Sequence, residues 1–404
     1  MKARPLALIP QYFGSLVYDQ RTHRYLPFDQ PATSLLRQLA QEPPGPDTPC
    51  EFLRRFHGYG FWDWQGLFDG VVLNLTPPHG HLAGPLTVHL EVAARCNLSC
   101  GHCFAGSLPR AEAPLTLSEL DRLFQELVSM GCFRLGITGG EPLLRRDLLD
   151  ILDLALERGL QPGLTTNGLL LSEELCRQLG RRRLVWLNVS LDGATAESND
   201  AIRGSGTFER VLKRLAVLRR HAEFSLAFTV TADNAQEVKE CCQLAKEVGA
   251  SAAVFRPLYP VGKASANLQL MPSFEQYSRA VETLGDGDPF GSAGERQRVA
   301  TLYTGGGCGA ANLICSVSLG GRVNPCSYLG PEFDSDNLRQ RSFGEIWNRG
   351  QTFLALRGQQ SEDFQGGCRA RAQALNGSAR ASDPWHQQFL RGGPQFHPNM
   401  NWEV

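Results

Sequence analysis

Glu91-Val92-Ala93-Ala94-Arg95-Cys96-Asn97-Leu98-Ser99-Cys100-Gly101-His102-Cys103-Phe104 is the stretch on which the reading of this chain turns. It leaves a short apolar run, 87–93, that reads as a strand, and it packs three cysteines into eight residues. Ligands of a parallel α/β sheet bind at the C-terminal ends of its strands, so the cysteines fall where a site belongs. Thiolates are the usual ligands of iron–sulfur clusters; four saturate a cubane, and three leave one iron open. Cys100-Gly101-His102-Cys103 could also hold zinc, with Cys96 or His102 completing the tetrahedron. The motif by itself leaves both open.

Outward from this point the chain alternates. Apolar runs at 87–93, 133–138, 162–166, 185–191, 224–231 and 252–258 are bounded by Gly, Asn or Asp. Helical patterns separate them, the plainest carrying Leu120, Leu123, Phe124, Leu127 and Val128 on one face behind Thr116 and Glu119 at capping-box spacing. Others cover 147–158, 172–181, 207–221 and 235–248. Six strands with crossover helices predict an α/β fold, a partial (β/α)6 barrel resembling an open TIM barrel. Turn motifs end the strands: Gly139-Gly140-Glu141-Pro142, then Asn167-Gly168, then Ser190-Leu191-Asp192-Gly193, then Thr231 with Asn234. Glycines let backbone approach a ligand, and Glu141 could accept from an ammonium. Taken singly, each motif is also ordinary turn chemistry.

Together, Cys96-x3-Cys100-x2-Cys103-Phe104 and Gly139-Gly140-Glu141-Pro142 on the next strand end resemble the signatures of the radical S-adenosylmethionine (SAM) superfamily. The resemblance implies a [4Fe–4S] cluster on Cys96, Cys100 and Cys103, its open iron chelating SAM. It implies SAM contacts from Gly139, Gly140, Glu141 and Pro142, and from Asn167, Ser190, Asp192 and Thr231. SAM would be cleaved to methionine and a 5′-deoxyadenosyl radical, with flavodoxin or ferredoxin as reductant. The cofactors carry that chemistry, and the protein binds and orients them. Arg203, in Asp200-Ala201-Ile202-Arg203-Gly204, fits a pattern of the same branch and could be structural.

Twelve cysteines are many for a reducing compartment. Cys132, Cys176 and Cys241 sit in apolar-periodic stretches and read as buried side chains. Cys308, Cys315, Cys326 and Cys368 form a second group in a Gly-rich tail. Cys308, twelve residues, Gly321, four residues and Cys326 match the opening of the SPASM or twitch auxiliary-cluster domain, and Gly366-Gly367-Cys368 resembles its closing turn. Further cysteines of a full SPASM domain are missing: Phe364 and Trp385 stand in that region. The resemblance implies one auxiliary [4Fe–4S] cluster on the four cysteines, with zinc on the same thiols as the alternative. Ser327 follows Cys326 where some relatives carry an acidic base, so no catalytic acid or base is nameable.

Before Glu42-Pro43-Pro44-Gly45-Pro46-Asp47, Tyr12–Tyr18 and Tyr25–Phe28 read as paired strands followed by a helix through Leu35, Leu36 and Leu39. An apolar-aromatic stretch, Phe52 to Phe68 with Trp62 and Trp64, follows. This module resembles the PqqD-like peptide-recognition domain, which adds a leader peptide to a sheet edge. The expected organisation is 1–80 for that module, 86–262 for the barrel, 263–304 for a linking helical region and 305–404 for the auxiliary domain. The arrangement resembles maturases of ribosomally made peptides, such as those of mycofactocin and pyrroloquinoline quinone, and implies a precursor peptide as partner. Haem or tetrapyrrole side-chain modification and a non-catalytic zinc-stabilised peptide binder are the other readings. The 404 residues are 42% hydrophobic and 20% charged, with 40 basic against 41 acidic groups. That balance argues against nucleic acid, and no run is long enough to span a bilayer. Without an apolar signal core before Gln11, a cytoplasmic protein is expected. Arg181-Arg182-Arg183 reads as a solvated helix end.

Overall fold

A computed structural model describes residues 6–46, 48–59, 68, 70–107, 112–284, 299–301, 308–357 and 364–391. Trp62, Trp64, Asp47 and most of the linking region after 284 lie outside the described residues, as does the side chain of Cys50.

The N-terminal module is a four-stranded sheet, where the sequence predicted two strands. β1 (Leu6–Gln11), β2 (Gly14–Asp19), β3 (Arg24–Asp29) and β4 (Gly70–Val72) lie in the order β3-β2-β1-β4. Tyr12 and Phe13 belong to the β1–β2 turn, and the strands the sequence did not disclose are β1 and the short β4. A Cβ at Gly14, where φ is +146°, would lie 2.3 Å from the Phe28 carbonyl oxygen, so only glycine lets the strands close there. Helices α1 (Gln30–Leu39, capped by Asp29) and α2 (Cys50–Gly58) cover one face. The other face packs on the barrel: Tyr18 stacks on Phe133 at 4.9 Å, and the Tyr25 hydroxyl donates to the Gly131 carbonyl. The module is docked rather than free-standing.

The six expected strands form, in order, as β5 (Thr87–Ala93), β6 (Arg134–Gly139), β7 (Gln161–Thr166), β8 (Leu187–Ser190), β9 (Ser225–Val230) and β10 (Ala252–Pro257), each parallel to the next. Helices α3 (Leu117–Ser129), α4 (Leu148–Glu157), α5 (Glu173–Arg181), α6 (Ala196–Arg203), α7 (Thr207–Leu218) and α8 (Val238–Glu247) connect them. α3 opens with the predicted capping box and buries Leu120, Leu123, Phe124 and Leu127, about 2 kcal/mol of transfer free energy per side chain. Cys132, Cys176 and Cys241 are buried in this core. Arg181 is exposed as expected, but Arg182 bends onto Asp153. One helix escaped the sequence reading: α6, whose Thr195–Ser198 capping box lacks the usual Glu or Gln.

The sheet then extends past six strands. After α9 (Phe274–Glu282), β11 (Val299–Thr301) pairs with β10, and β12 (Ile314–Val317) pairs in parallel with β5 while β13 (Val323–Asn324) turns back on it. The C-terminal region therefore shares a nine-stranded sheet with the barrel. It continues in α10 (Phe343–Arg349), α11 (Gln351–Arg357), α12 (Arg369–Asn376) and α13 (Pro384–Leu390). Among the described residues no helix is long and apolar enough to cross a membrane.

Candidate active site

β5 delivers the cysteine loop to the open end of the barrel. Cys96, Cys100 and Cys103 are half-buried and line an open hollow with Gly139, Gly140, Glu91 and Lys263. Burial pushes the Cys100 thiol up to about 11, with Arg203 pulling the other way. A thiol with that pKa ionises at neutral pH only when a metal takes the proton's place.

The loop is braced from below. His102 Nε2 lies 2.9 Å from Asp192 Oδ2, and Arg203 Nε lies 2.6 Å from the same oxygen. Asp192 is fully buried and also accepts from the Thr229 amide at 2.7 Å. Burial pushes its pKa up, but Arg203 and His102 together hold it well below the ordinary carboxylate range. Asp192, expected among the SAM contacts, spends its carboxylate on His102, Arg203 and the Thr229 amide. Similarly, Glu141 is 1% exposed and accepts from the Thr166 hydroxyl, the Asn167 amide and the Leu143 amide. Its carboxylate holds its own turn, and the backbone of Gly139 and Gly140 is what faces the hollow. A Cβ on Gly140 would lie 2.3 Å from the Arg95 carbonyl oxygen, which explains that glycine.

Asn167 reaches the loop directly, its Nδ2 donating to Asn97 Oδ1 at 2.7 Å and pointing at Cys96 Sγ at 3.8 Å. Pro142 is buried behind the turn, and Ser190 is half-buried at the end of β8. Thr231 is fully buried, its hydroxyl without a hydrogen-bond partner. Lys263, unremarked in the sequence, clasps the loop from across the barrel mouth: its amide donates to the Cys103 carbonyl and its ammonium to the Ser99 hydroxyl.

The second cysteine group is more enclosed. Cys315 and Cys326 are buried; Cys308 and Cys368 are half-buried. Cys308 and Cys368 lie close enough to Cys326 to raise its pKa, and Cys326 acts in the same way on Cys315 of β12. Burial, outweighing the nearby Arg371, pushes Cys368 up to about 12. Among the described residues no three His, Cys, Asp or Glu side chains converge on a point as a single bound ion requires. Phe364 lies under Arg369, and Trp385 packs among Arg371, Tyr277 and Phe274.

Between the two groups the barrel interior is polar. Lumen residues alternate with core residues, so His89 and Glu91 face inward between Val88, Leu90 and Val92. Trp186 fills the lower lumen; a Cβ at Gly163 would lie 2.0 Å from its ring. Burial, with Asp334 beside it, raises Glu91 to about 7. Burial and the nearby guanidiniums of Arg256 and Arg134 hold His89 down at about 4, and its Nδ1 lies 2.9 Å from the Ser327 hydroxyl. These lumen residues were missed, though charged residues alternating within a buried parallel strand were a readable signal.

Residues 90–245 match the radical SAM superfamily. The chain is 32% identical over 340 residues to the AdoMet-dependent heme synthase of Methanosarcina barkeri, covering 74% of this chain and 96% of that protein. It is 30% identical over 299 residues to the mycofactocin maturase of Mycobacterium tuberculosis, covering 71% of this chain and 76% of that one. In fold it resembles Streptococcus suis SuiB bound to its precursor peptide SuiA, with a TM-score of 0.72 at 15% identity over 94% of this chain and 98% of SuiB.

Proposed function

Because the chain belongs to the radical SAM superfamily, whose members work with a [4Fe–4S] cluster and SAM, we propose that Cys96, Cys100 and Cys103 ligate that cluster and that the substrate is a ribosomally made precursor peptide. One observation carries the first half: three half-buried thiols and two glycine backbones share one hollow at the barrel mouth. The chemistry supplied by the bound cofactors is one-electron cleavage of SAM to methionine and a 5′-deoxyadenosyl radical, fed by a reductant such as flavodoxin or ferredoxin. Asp192, through His102 and Arg203, fixes the loop that presents the thiols. Asn167 donates toward Cys96, and Lys263 closes the loop from the opposite wall. Gly139 and Gly140 offer backbone to SAM, and Ser190 and Thr231 complete its expected surroundings.

Cys308, Cys315, Cys326 and Cys368 are assigned an auxiliary [4Fe–4S] cluster, supported by the closeness of Cys308 and Cys368 to Cys326 and of Cys326 to Cys315. The N-terminal sheet supports the peptide half of the reading. β3 is an edge strand whose outer backbone can pair with an added leader strand. The likeness to a mycofactocin maturase and to the SuiB fold points the same way. Modification of a tetrapyrrole side chain is the second reading, favoured by the heme synthase relative.

Anaerobic reconstitution tests the first half. Iron at about eight per chain with equal sulfide, and 5′-deoxyadenosine from SAM and dithionite, are expected. Stoichiometric zinc without SAM cleavage overturns it. Mass change in a peptide encoded beside the gene, lost on Leu26→Pro in β3, selects peptide; turnover of a tetrapyrrole with no peptide product selects the second reading.

A further inference from the structure

We propose that Arg256, with Tyr328 and Ser327, forms a carboxylate-binding subsite in the barrel lumen between the two cysteine groups. Among the described residues, Arg203 pairs with Asp192, Arg371 with Asp383, Arg134 lies over the Trp186 ring, and Arg357 and Arg369 spend donors on backbone carbonyls. Arg256 differs. It projects inward from β10, opposite the fully buried Phe255, and its partner is the Tyr328 hydroxyl. Its Nε is buried without a hydrogen bond, and among the described residues no carboxylate pairs with it. A guanidinium in a low-dielectric lumen without a counter-ion is costly, and an incoming carboxylate relieves that cost through charge-assisted hydrogen bonds.

The surroundings fit an anion of that shape. Among the described residues the lumen's own carboxylate, Glu91, forms no ion pair with Arg256, and burial with Asp334 beside it raises Glu91 to about 7, which weakens its hold as a counter-ion. His89 is held neutral at its side, and the hydroxyls of Ser327 and Tyr328 add donors. The position is functional. Tyr328 stacks on Tyr259 at 4.4 Å and meets Phe104, next to Cys103, at 5.5 Å; Ser327 follows Cys326 directly. A group bound to Arg256 thus lies between the two proposed clusters. The subsite stands on this geometry, while assigning the carboxylate to a peptide rests on the function proposed above.

Saturation-transfer NMR on the reconstituted full-length enzyme with SAM tests it using three probes of one shape. Ac-Glu-NH2 carries a side-chain carboxylate, Ac-Gln-OH a terminal one, and Ac-Gln-NH2 neither. At least one carboxylate probe is expected to bind about tenfold or more tightly than the neutral one, and the tighter of the two identifies the source. Arg256→Gln abolishes that preference, Arg256→Lys keeps part of it, and Arg279→Gln on the exposed face of α9 leaves it unchanged. Equal binding of all three probes, or a preference that survives Arg256→Gln with cluster content intact, overturns the subsite. The readout needs neither turnover nor the natural peptide. An Arg256-dependent preference without any peptide product would sink the proposed function and leave the subsite standing.

Discussion

The two cysteine groups solve opposite problems with the same ligand type. The first lies on a loop at the barrel mouth, its thiols half-buried over a hollow and the buried Arg203 beneath it paired with Asp192. The second lies beneath helices, with Cys315 fully buried and Arg357, Arg369 and Arg371 around it, of which only Arg371 has a carboxylate. At this open group the Arg203 charge is paired with Asp192, and the Lys263 ammonium is held at the rim by the Ser99 hydroxyl. A closed centre admits nothing, and guanidiniums on carbonyl oxygens can face its thiolates. Burial lowers Arg357 to about 10, with Cys315 beside it pulling the other way.

The sharpest way to break this comparison is to remove one thiol from each side. Cys100→Ser should reduce 5′-deoxyadenosine formation to background, with iron falling from about eight to about four per chain. Cys326→Ser should lose the same iron yet keep SAM cleavage, because the mouth is untouched. If both variants lose SAM cleavage equally, the two sites are not separable as described.

Buried carboxylates give the next largest effect. Asp192→Asn strands Arg203, and Asp383→Asn strands Arg371 at 0% exposure for both partners. Each should cost about 3–5 kcal/mol in denaturant unfolding. Only Asp192→Asn should also loosen the cysteine loop, read as faster cluster loss to a chelator. Equal loss from Asp383→Asn would show that the second pair supports the first site as well.

A pH series sharpens the contrast from inside the lumen. Unfolded Glu91 loses its proton near 4.5, whereas the folded side chain keeps it to about 7. Between those values the folded state holds the extra proton, so stability falls as pH rises through the window and is level above it. For a partly shielded group the total is about 2 kcal/mol. Glu91→Gln should flatten this slope in urea midpoints taken at pH 5 and pH 8. An unchanged slope would assign it to Asp334, which burial also raises.

Much of this was legible in the sequence, for identifiable reasons. The six strands read true because each is a short apolar run closed by turn residues, and α3 because its cap and apolar stripe agree. The thiols were legible because spacing within a loop survives folding. The partners of Asp192 and Glu141 were not legible for a shared reason: position at a strand end says a side chain is near the site, not which way its oxygens turn. Both are drawn inward by buried donors 25 or more residues away, Thr166 and Asn167 for Glu141, and Thr229 for Asp192. The missing β1 and the shared nine-stranded sheet depend on pairings across long separations, which local periodicity does not encode.

The smallest expected effect concerns the seam where the two regions meet. Arg339, after β13, reaches back to Glu119 in the first turn of α3 and to the Ala113 and Pro114 carbonyls, while Arg322 meets Glu112 beside it. The Arg339–Glu119 pair is 37% and 17% exposed, so screening should hold the cost of Arg339→Ala below about 1 kcal/mol, fading further in high salt. The covalent and sheet connections beneath it, the β5–β12 pairing above all, keep the regions in one cooperative unit. Arg339→Ala should therefore shift the unfolding transition slightly without splitting it. A second transition appearing at the auxiliary end would mean that the seam, rather than the shared sheet, joins the open centre to the closed one.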